Sequence, residues 1–86
     1  MKRGKILDMA KEIINGERQD QYGNPENSFA TIAEYWSIYL TKELSDTDVA
    51  LMMVLFKIAR EAHQHKLDNV VDAAGYLAIY GDMHGN

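Results

Sequence analysis

Several features that often stabilise or direct a small protein are missing from this chain. Its 86 residues include no cysteine, which excludes disulfide bonds and thiolate zinc sites. Its three histidines are too few for a structural metal site, and His63 and His65, two residues apart, diverge on a helix. A single domain of this length buries only about 60 to 65% of its unfolded surface. We therefore expect one domain, residues 1–86, that gains stability by forming a homodimer or a larger homo-oligomer.

The chain has no basic excess and no long apolar run. Thirteen acidic and nine basic residues give a net charge of −4, which argues against binding to a nucleic-acid backbone. The basic start is followed by an amphipathic pattern and not by the apolar core of a signal peptide, and no run of apolar residues reaches membrane-spanning length. We expect a soluble, cytoplasmic protein with neither a nucleic-acid nor a membrane partner.

The periodicity of the apolar residues predicts an all-α fold. Steps of three and four residues indicate helices at about residues 4–17, 25–43, 46–64 and 68–81, arranged as a small up-and-down bundle. Pro25 suits the first position of a helix, and Ser45 with Asp48 forms a capping signal before the third helix. The second helix carries a wide apolar face that includes Trp36 and Tyr39, and this width suits a subunit interface.

Two aspects of the helical pattern bear on burial. The third helix begins with an all-apolar half, residues 49–56, which is typical of the central helix of a core. In the fourth helix, Leu77 and Ala78 are expected to point inward with the valines that precede them. Gly75 in mid-helix costs roughly 1 kcal/mol relative to alanine, so we expect close approach of another helix or of a ligand there.

Most of the site-like chemistry lies between residues 57 and 76. Because residues three and four apart share a helix face, Lys57 and Arg60 lie with Glu61, and Asp68 lies with Asp72. In a helical hairpin these cations would face these carboxylates. The arrangement is either a structural salt-bridge lattice, with Lys57 paired to Glu61 or Asp72, or a site where carboxylates bind a divalent metal and cations bind phosphates.

Four further residues extend this candidate site, each with a structural alternative. Lys66 adds a cation, and Asn69 adds an amide that could equally be a helix-start residue. Tyr76 could contact a base or a phosphate, or could be a buried tyrosine whose hydroxyl is satisfied. The loop at Tyr22 precedes a helix start, where backbone N–H groups can bind an anion, although ordinary capping explains it as well.

Other kinds of catalytic site are not readable in the sequence. No Ser/His/acid or Cys/His arrangement can be assembled, and no glycine-rich phosphate loop is present. Carboxylates and cations on helices are what remains. This set suits magnesium-assisted phosphate chemistry, in which carboxylates hold Mg²⁺ and a metal-bound water attacks phosphorus.

Three segments carry a resemblance to known proteins across about residues 17–80. They are Arg18-Gln-Asp-Gln-Tyr22-Gly-Asn-Pro25, Lys57-Ile-Ala-Arg60, and Lys66-Leu-Asp-Asn-Val-Val-Asp72-Ala-Ala-Gly-Tyr76. They resemble a group of small uncharacterised helical proteins of phages and prophages. That group is in turn reminiscent of the MazG-like all-α NTP pyrophosphohydrolases, a resemblance that implies a MazG-like helical arrangement, magnesium dependence and a host-cell cytoplasmic location.

In the enzyme hypothesis that the resemblance suggests, each candidate residue has an expected role. The catalytic and metal-binding residues would be Glu61, Asp68 and Asp72. The substrate-binding residues would be Lys57, Arg60, Lys66, Asn69, Tyr76 and Tyr22. The chain departs from the MazG-like pattern, which has two glutamates three apart on one helix and a Glu and an Asp three apart on the next.

Two functional hypotheses remain open. One is a Mg²⁺-dependent nucleoside triphosphate pyrophosphohydrolase. The other is a helical oligomer without turnover, which either sequesters a nucleotide or binds a protein through the face that contains Trp36 and Tyr39.

Overall fold

A computed structural model describes residues 2–16 and 25–85, with the side chains of residues 25–27 left undescribed. Within these ranges the fold is all-α, with four helices and no strand, which confirms the predicted fold class. The helices are α1 (Arg3–Asn15), α2 (Pro25–Leu40), α3 (Asp46–His63) and α4 (Leu67–Met83). None of them is both long and apolar enough to cross a membrane.

The centre of the described structure is the hairpin of α3 and α4, whose contact is the largest between any two of the described helices. Helix α1 packs on α4, and α2 packs mainly on α3. The helices of this bundle are therefore arranged around the hairpin that carries the charged residues.

Local hydrogen bonds define the boundary between α2 and α3. Helix α2 ends at Leu40, before residue 43 where the sequence predicted its end, because Thr41 adopts a positive φ of 51°. The turn is closed by Ser37, whose Oγ accepts a 2.9 Å hydrogen bond from the Leu44 N–H.

Ser45 caps the start of α3. Its Oγ accepts a hydrogen bond from the Asp48 N–H at 3.1 Å, and its own N–H donates to Asp48 Oδ2 at 2.9 Å. This reciprocal pair is the predicted capping box.

The hydrophobic core lies where α2 crosses the start of α3 and the end of α4. Its buried centre consists of Phe29, Ala33, Val49 and Ala50. Partly buried side chains from α2, α3, α4 and the connection after α2 surround it: Ile32, Trp36, Leu44, Met53, Tyr76, Ile79, Tyr80 and Met83. The burial of this cluster holds the start of α3 firmly in place.

Two expectations about burial were wrong. Helix α3 is not enclosed on all sides, since Leu51, Leu55 and Phe56 are exposed. In α4, Leu77 and Ala78 also face outward. The reason for α3 is geometric: α2 and α4 cover only part of its circumference, and no helix of the described chain covers the rest.

Gly75 has the close neighbour that its position predicted. A Cβ added to it would lie 3.2 Å from Ile14 Cγ2 of α1. The buried glycine thus allows α1 to pack tightly against α4.

Candidate functional site

An ion pair between α3 and α4 is the main feature of the candidate site. Lys57 Nζ lies 3.0 Å from Asp72 Oδ2, and the two side chains are only 15% and 14% exposed. Lys57 points toward α4 because it continues the line of Ala50 and Val54, which are buried in the core. Of the pairings that the sequence left open, the structure has Lys57 with Asp72 across the hairpin.

Arg60 lies one turn from the ion pair and remains exposed. Its guanidinium carbon is 5.5 Å from the centre of the Phe56 ring, and Lys57 Nζ is 5.7 Å from the same ring. These distances are within the range of cation–π attraction. The half-exposed ring therefore helps to hold two cations at one position on the hairpin.

Glu61 organises the turn between α3 and α4. Its carboxylate accepts hydrogen bonds from the Lys66 N–H at 2.9 Å and from Asn69 Nδ2 at 3.3 Å, and it pairs with the His65 ring. The hydrogen bond from His65, followed by that from the Lys66 N–H, lowers the pKa of Glu61 below its ordinary value of 4.5. Glu61 thus acts as a structural acceptor at the start of α4.

The remaining candidate residues in the described chain have different environments. Asn69 is 6% exposed and is held by Glu61 and by the Gln64 carbonyl. Asp68 and Lys66 are exposed at the start of α4. Tyr76 is partly buried against the core, with its ring centroid 6.1 Å from that of Phe29.

The carboxylates do not form a metal-binding group in this arrangement. In the ranges that the structure describes, no three or more His, Asp or Glu side chains are placed to hold a metal ion together. Asp72 is paired with Lys57, and Glu61 is engaged by the turn, so the two are held by different partners. The residues therefore do not fit Mg²⁺ as they stand. Tyr22 lies outside the described residues.

Sequence reasoning missed two contributors to this region. Phe56 was assigned to the core but lies under the cations, and His65 was treated only as a weak metal ligand. The four-residue step from Glu61 to His65 was a readable signal, since residues at that spacing pair on a helix and the predicted third helix ended at about residue 64, next to His65. For Phe56 the signal was its position immediately before Lys57 and one turn before Arg60.

Comparisons with known proteins identify a phage family. The family "Domain of unknown function (DUF6378)" matches residues 5–84. The Gene 55 protein of Mycobacterium phage D29 is 47% identical over 72 residues, which is 83% of this chain and 48% of the relative. The Gene 55 protein of Mycobacterium phage L5 is 44% identical over 81 residues, 91% of this chain and 51% of the relative.

The chain spans about half the length of these two curated relatives. The resemblance to small phage proteins is confirmed by these matches. No solved structure matches the chain.

Proposed function

The chain belongs to the DUF6378 family. We propose, from its charged residues, that it is a phage-type nucleotide-processing protein that binds nucleotide phosphates at the charged end of the α3–α4 hairpin. The observation that carries the proposal is the ion pair of Lys57 and Asp72, held largely out of water between two helices. Holding two charges away from water is costly. A charged ligand that engages these groups is one reason to retain them.

The cations around the pair are suited to phosphate. Arg60 is exposed, and a guanidinium binds phosphate oxygens through two parallel hydrogen bonds. Lys66 is exposed at the same end of the hairpin. A triphosphate carries more negative charge than the single carboxylate of Asp72, so Lys57 can exchange its partner for a phosphate. Asn69 and Tyr76 are the proposed contacts to base or sugar.

Hydrolysis is the more specific form of the proposal, and its support is the resemblance to the MazG-like pyrophosphohydrolases. In that form Glu61, Asp68 and Asp72 would bind Mg²⁺. Glu61 and Asp72 have other partners in the structure, so a metal cage requires both to be released. Binding is therefore the proposal that the geometry supports better, and turnover is a separate question for experiment.

A second candidate function is protein interaction through α2. The observation that favours it is the exposure of Tyr39 at 88%, next to the exposed side chains of Tyr35 and Ile38. Exposed apolar groups that lie together often mark a binding surface. In this alternative the charged hairpin is structural and the nucleotide is not a ligand.

A panel of nucleoside triphosphates with Mg²⁺ tests these functions through two readouts. Thermal stabilisation reports binding, and release of pyrophosphate reports turnover. We expect at least one nucleotide to stabilise the wild-type chain, and Arg60→Ala and Lys66→Ala to weaken the effect. Lys5→Ala, which removes an exposed cation from α1, is the matched control and should behave as wild type.

The outcomes separate the candidates. Stabilisation without pyrophosphate supports a nucleotide binder, whereas pyrophosphate release that Asp72→Asn abolishes supports the hydrolase. If no nucleotide produces either effect, the nucleotide proposal is wrong and protein interaction becomes the leading function.

A further inference from the structure

We propose that Asp72 is an internal competitor at the phosphate site: its carboxylate occupies Lys57 until an anion that carries several negative charges displaces it. This inference rests on the proposed function, because the ligand is the same phosphorylated molecule. It deepens that function by giving Asp72 a role opposite to ligand binding. Removal of its charge should therefore strengthen the binding of phosphates, not weaken it.

The geometry of the ion pair supports competition. Asp72 Oδ2 lies 3.0 Å from Lys57 Nζ, which is the distance at which a phosphate oxygen would accept a hydrogen bond from the same ammonium group. Both side chains are largely buried, so little room is left beside the ammonium for a second anion. An incoming phosphate that uses Lys57 must therefore take the place of the carboxylate.

Displacement of the carboxylate costs free energy in two ways. A charge that is largely removed from water is destabilised when it loses its partner, and this applies to Asp72 once a phosphate takes Lys57. The released carboxylate also remains on α4 beside the phosphates and repels them. Both costs lower the affinity of the wild-type chain, and both disappear when residue 72 carries no charge.

The same competition selects ligands that carry several negative charges. A monoanion gains little at Lys57, because it replaces one single charge by another. A di- or triphosphate can also contact Arg60, which is exposed. The guanidinium carbon of Arg60 lies 5.5 Å from the centre of the Phe56 ring, and Lys57 Nζ lies 5.7 Å from the same point. One polyphosphate chain can therefore contact both cations, and the second contact offsets the cost of displacing Asp72.

Isothermal titration calorimetry with inorganic tripolyphosphate and with ATP, both in EDTA, tests the proposal. EDTA is needed because a bound Mg²⁺ would itself attract the carboxylate. We expect Asp72→Asn to bind both probes about tenfold more tightly than wild type, a change in binding free energy of about 1.4 kcal/mol. Asparagine keeps the shape of the side chain, and its amide can donate a hydrogen bond to a phosphate. A residue with only a structural role would instead weaken binding when replaced, because the site loosens.

A matched control and a second measurement accompany the titration. Asp82→Asn removes the same charge from an exposed position of α4. Residue 82 lies about 15 Å further along the helix, beyond the Debye length of about 8 Å at physiological salt, so this change should leave both affinities as in wild type. In the wild-type chain, the carboxyl-carbon NMR signal of Asp72 should shift as tripolyphosphate saturates the site. This second measurement does not require Asp72→Asn to fold.

Binding by Asp72→Asn that is equal to or weaker than that of wild type would overturn the competition and leave the nucleotide proposal standing. The same holds for an Asp72 carboxyl signal that stays constant while tripolyphosphate binds. If neither protein binds ATP, with or without Mg²⁺, the nucleotide proposal itself is wrong and the competition fails with it. Binding in EDTA by Asp72→Asn alone would support the competition in its strongest form.

Discussion

Lys57 and Asp72 form an ion pair that joins the two helices of the central hairpin, with Nζ and Oδ2 3.0 Å apart. They are the charged residues at which the sequence allowed either a structural or a ligand-binding role. The two roles are compatible, since an ion pair that forms without a ligand also holds both charged groups at one position, where a ligand could bind them. The two roles predict different experimental results, and both predictions can be measured.

The structural role predicts a loss of stability when one member of the pair is removed. We expect Asp72→Asn to lower the free energy of unfolding by about 1–3 kcal/mol, because Lys57 keeps a largely buried charge without its counter-ion; this is below the cost for fully buried pairs. Asp82→Asn, at an exposed position of the same helix, should change stability by about 0.5 kcal/mol or less. Urea denaturation followed by circular dichroism measures both.

A double-mutant cycle separates the interaction energy between Lys57 and Asp72 from the effect of each residue alone. The combined change Lys57→Met with Asp72→Leu should cost less than the sum of the single changes, because it leaves no unpaired charge. Strict additivity of the two changes would contradict an energetic coupling between these side chains.

Two glycines of α4 differ in how closely other residues pack against them, so their replacement by alanine should change stability differently. Gly81 is surrounded by open space, with nothing within 4 Å of an added Cβ, so Gly81→Ala should stabilise the helix by up to about 1 kcal/mol. Gly75→Ala gains the same helix propensity but brings its Cβ to 3.2 Å from Ile14 Cγ2. We therefore expect a smaller gain or a net loss. Thermal unfolding of the two variants gives the comparison.

Replacing Ile14 by alanine supplies the control for this prediction. In an Ile14→Ala background the neighbour of Gly75 is removed, and Gly75→Ala should then approach the effect of Gly81→Ala. If Gly75→Ala has the same effect in both backgrounds, the contact between α1 and α4 does not explain why a glycine is favoured at position 75.

The Glu61 carboxylate predicts an acid-dependent part of the stability. Its pKa is lowered in the folded chain, first by the hydrogen bond from His65 and then by that from the Lys66 N–H. A carboxyl group whose pKa is lowered by folding stabilises the folded state at pH values above its pKa in the unfolded chain, 4.5. This contribution is lost as the pH falls through the pKa that the group has in the folded state. Wild type should exceed Glu61→Gln in melting temperature at pH 7, and the difference should shrink at pH 3.

Asp48 does not confound this comparison. Its pKa is also lowered, mainly by the backbone hydrogen bond from Ser45, but it is present in both proteins and its effect cancels. A difference between wild type and Glu61→Gln that stays constant from pH 7 to pH 3 would show that the charge of Glu61 has no role in the turn.

The sequence was informative about the helices because their signals are local. The steps of Ile6, Met9, Ala10, Ile13 and Ile14 marked a face of α1 that is buried or half-buried, and Ser45 marked the start of α3. Every helix boundary lies within three residues of its prediction. The end of α2 differed most, since the positive φ of Thr41 follows from the way the chain closes onto Ser37, which no local pattern encodes.

The candidate site was only partly readable for a related reason. Helical spacing identified Lys57, Arg60 and Glu61 as neighbours, yet it could not assign Asp72 to Lys57 or Glu61 to the turn. These partners depend on how two helices are placed in space. The apolar half of α3 was similarly ambiguous, because the same residues suit an enclosed helix and a helix with one side exposed.

The most direct test of the nucleotide proposal is an amide NMR titration of the isotopically labelled chain with a nucleoside triphosphate and Mg²⁺. We predict saturable shift changes concentrated between residues 57 and 72, reduced in Arg60→Ala and retained in the α1 variant Lys5→Ala. Spectra that do not change with any nucleotide, or changes confined to α1 and α2, would contradict the assignment of the charged hairpin as a phosphate-binding site.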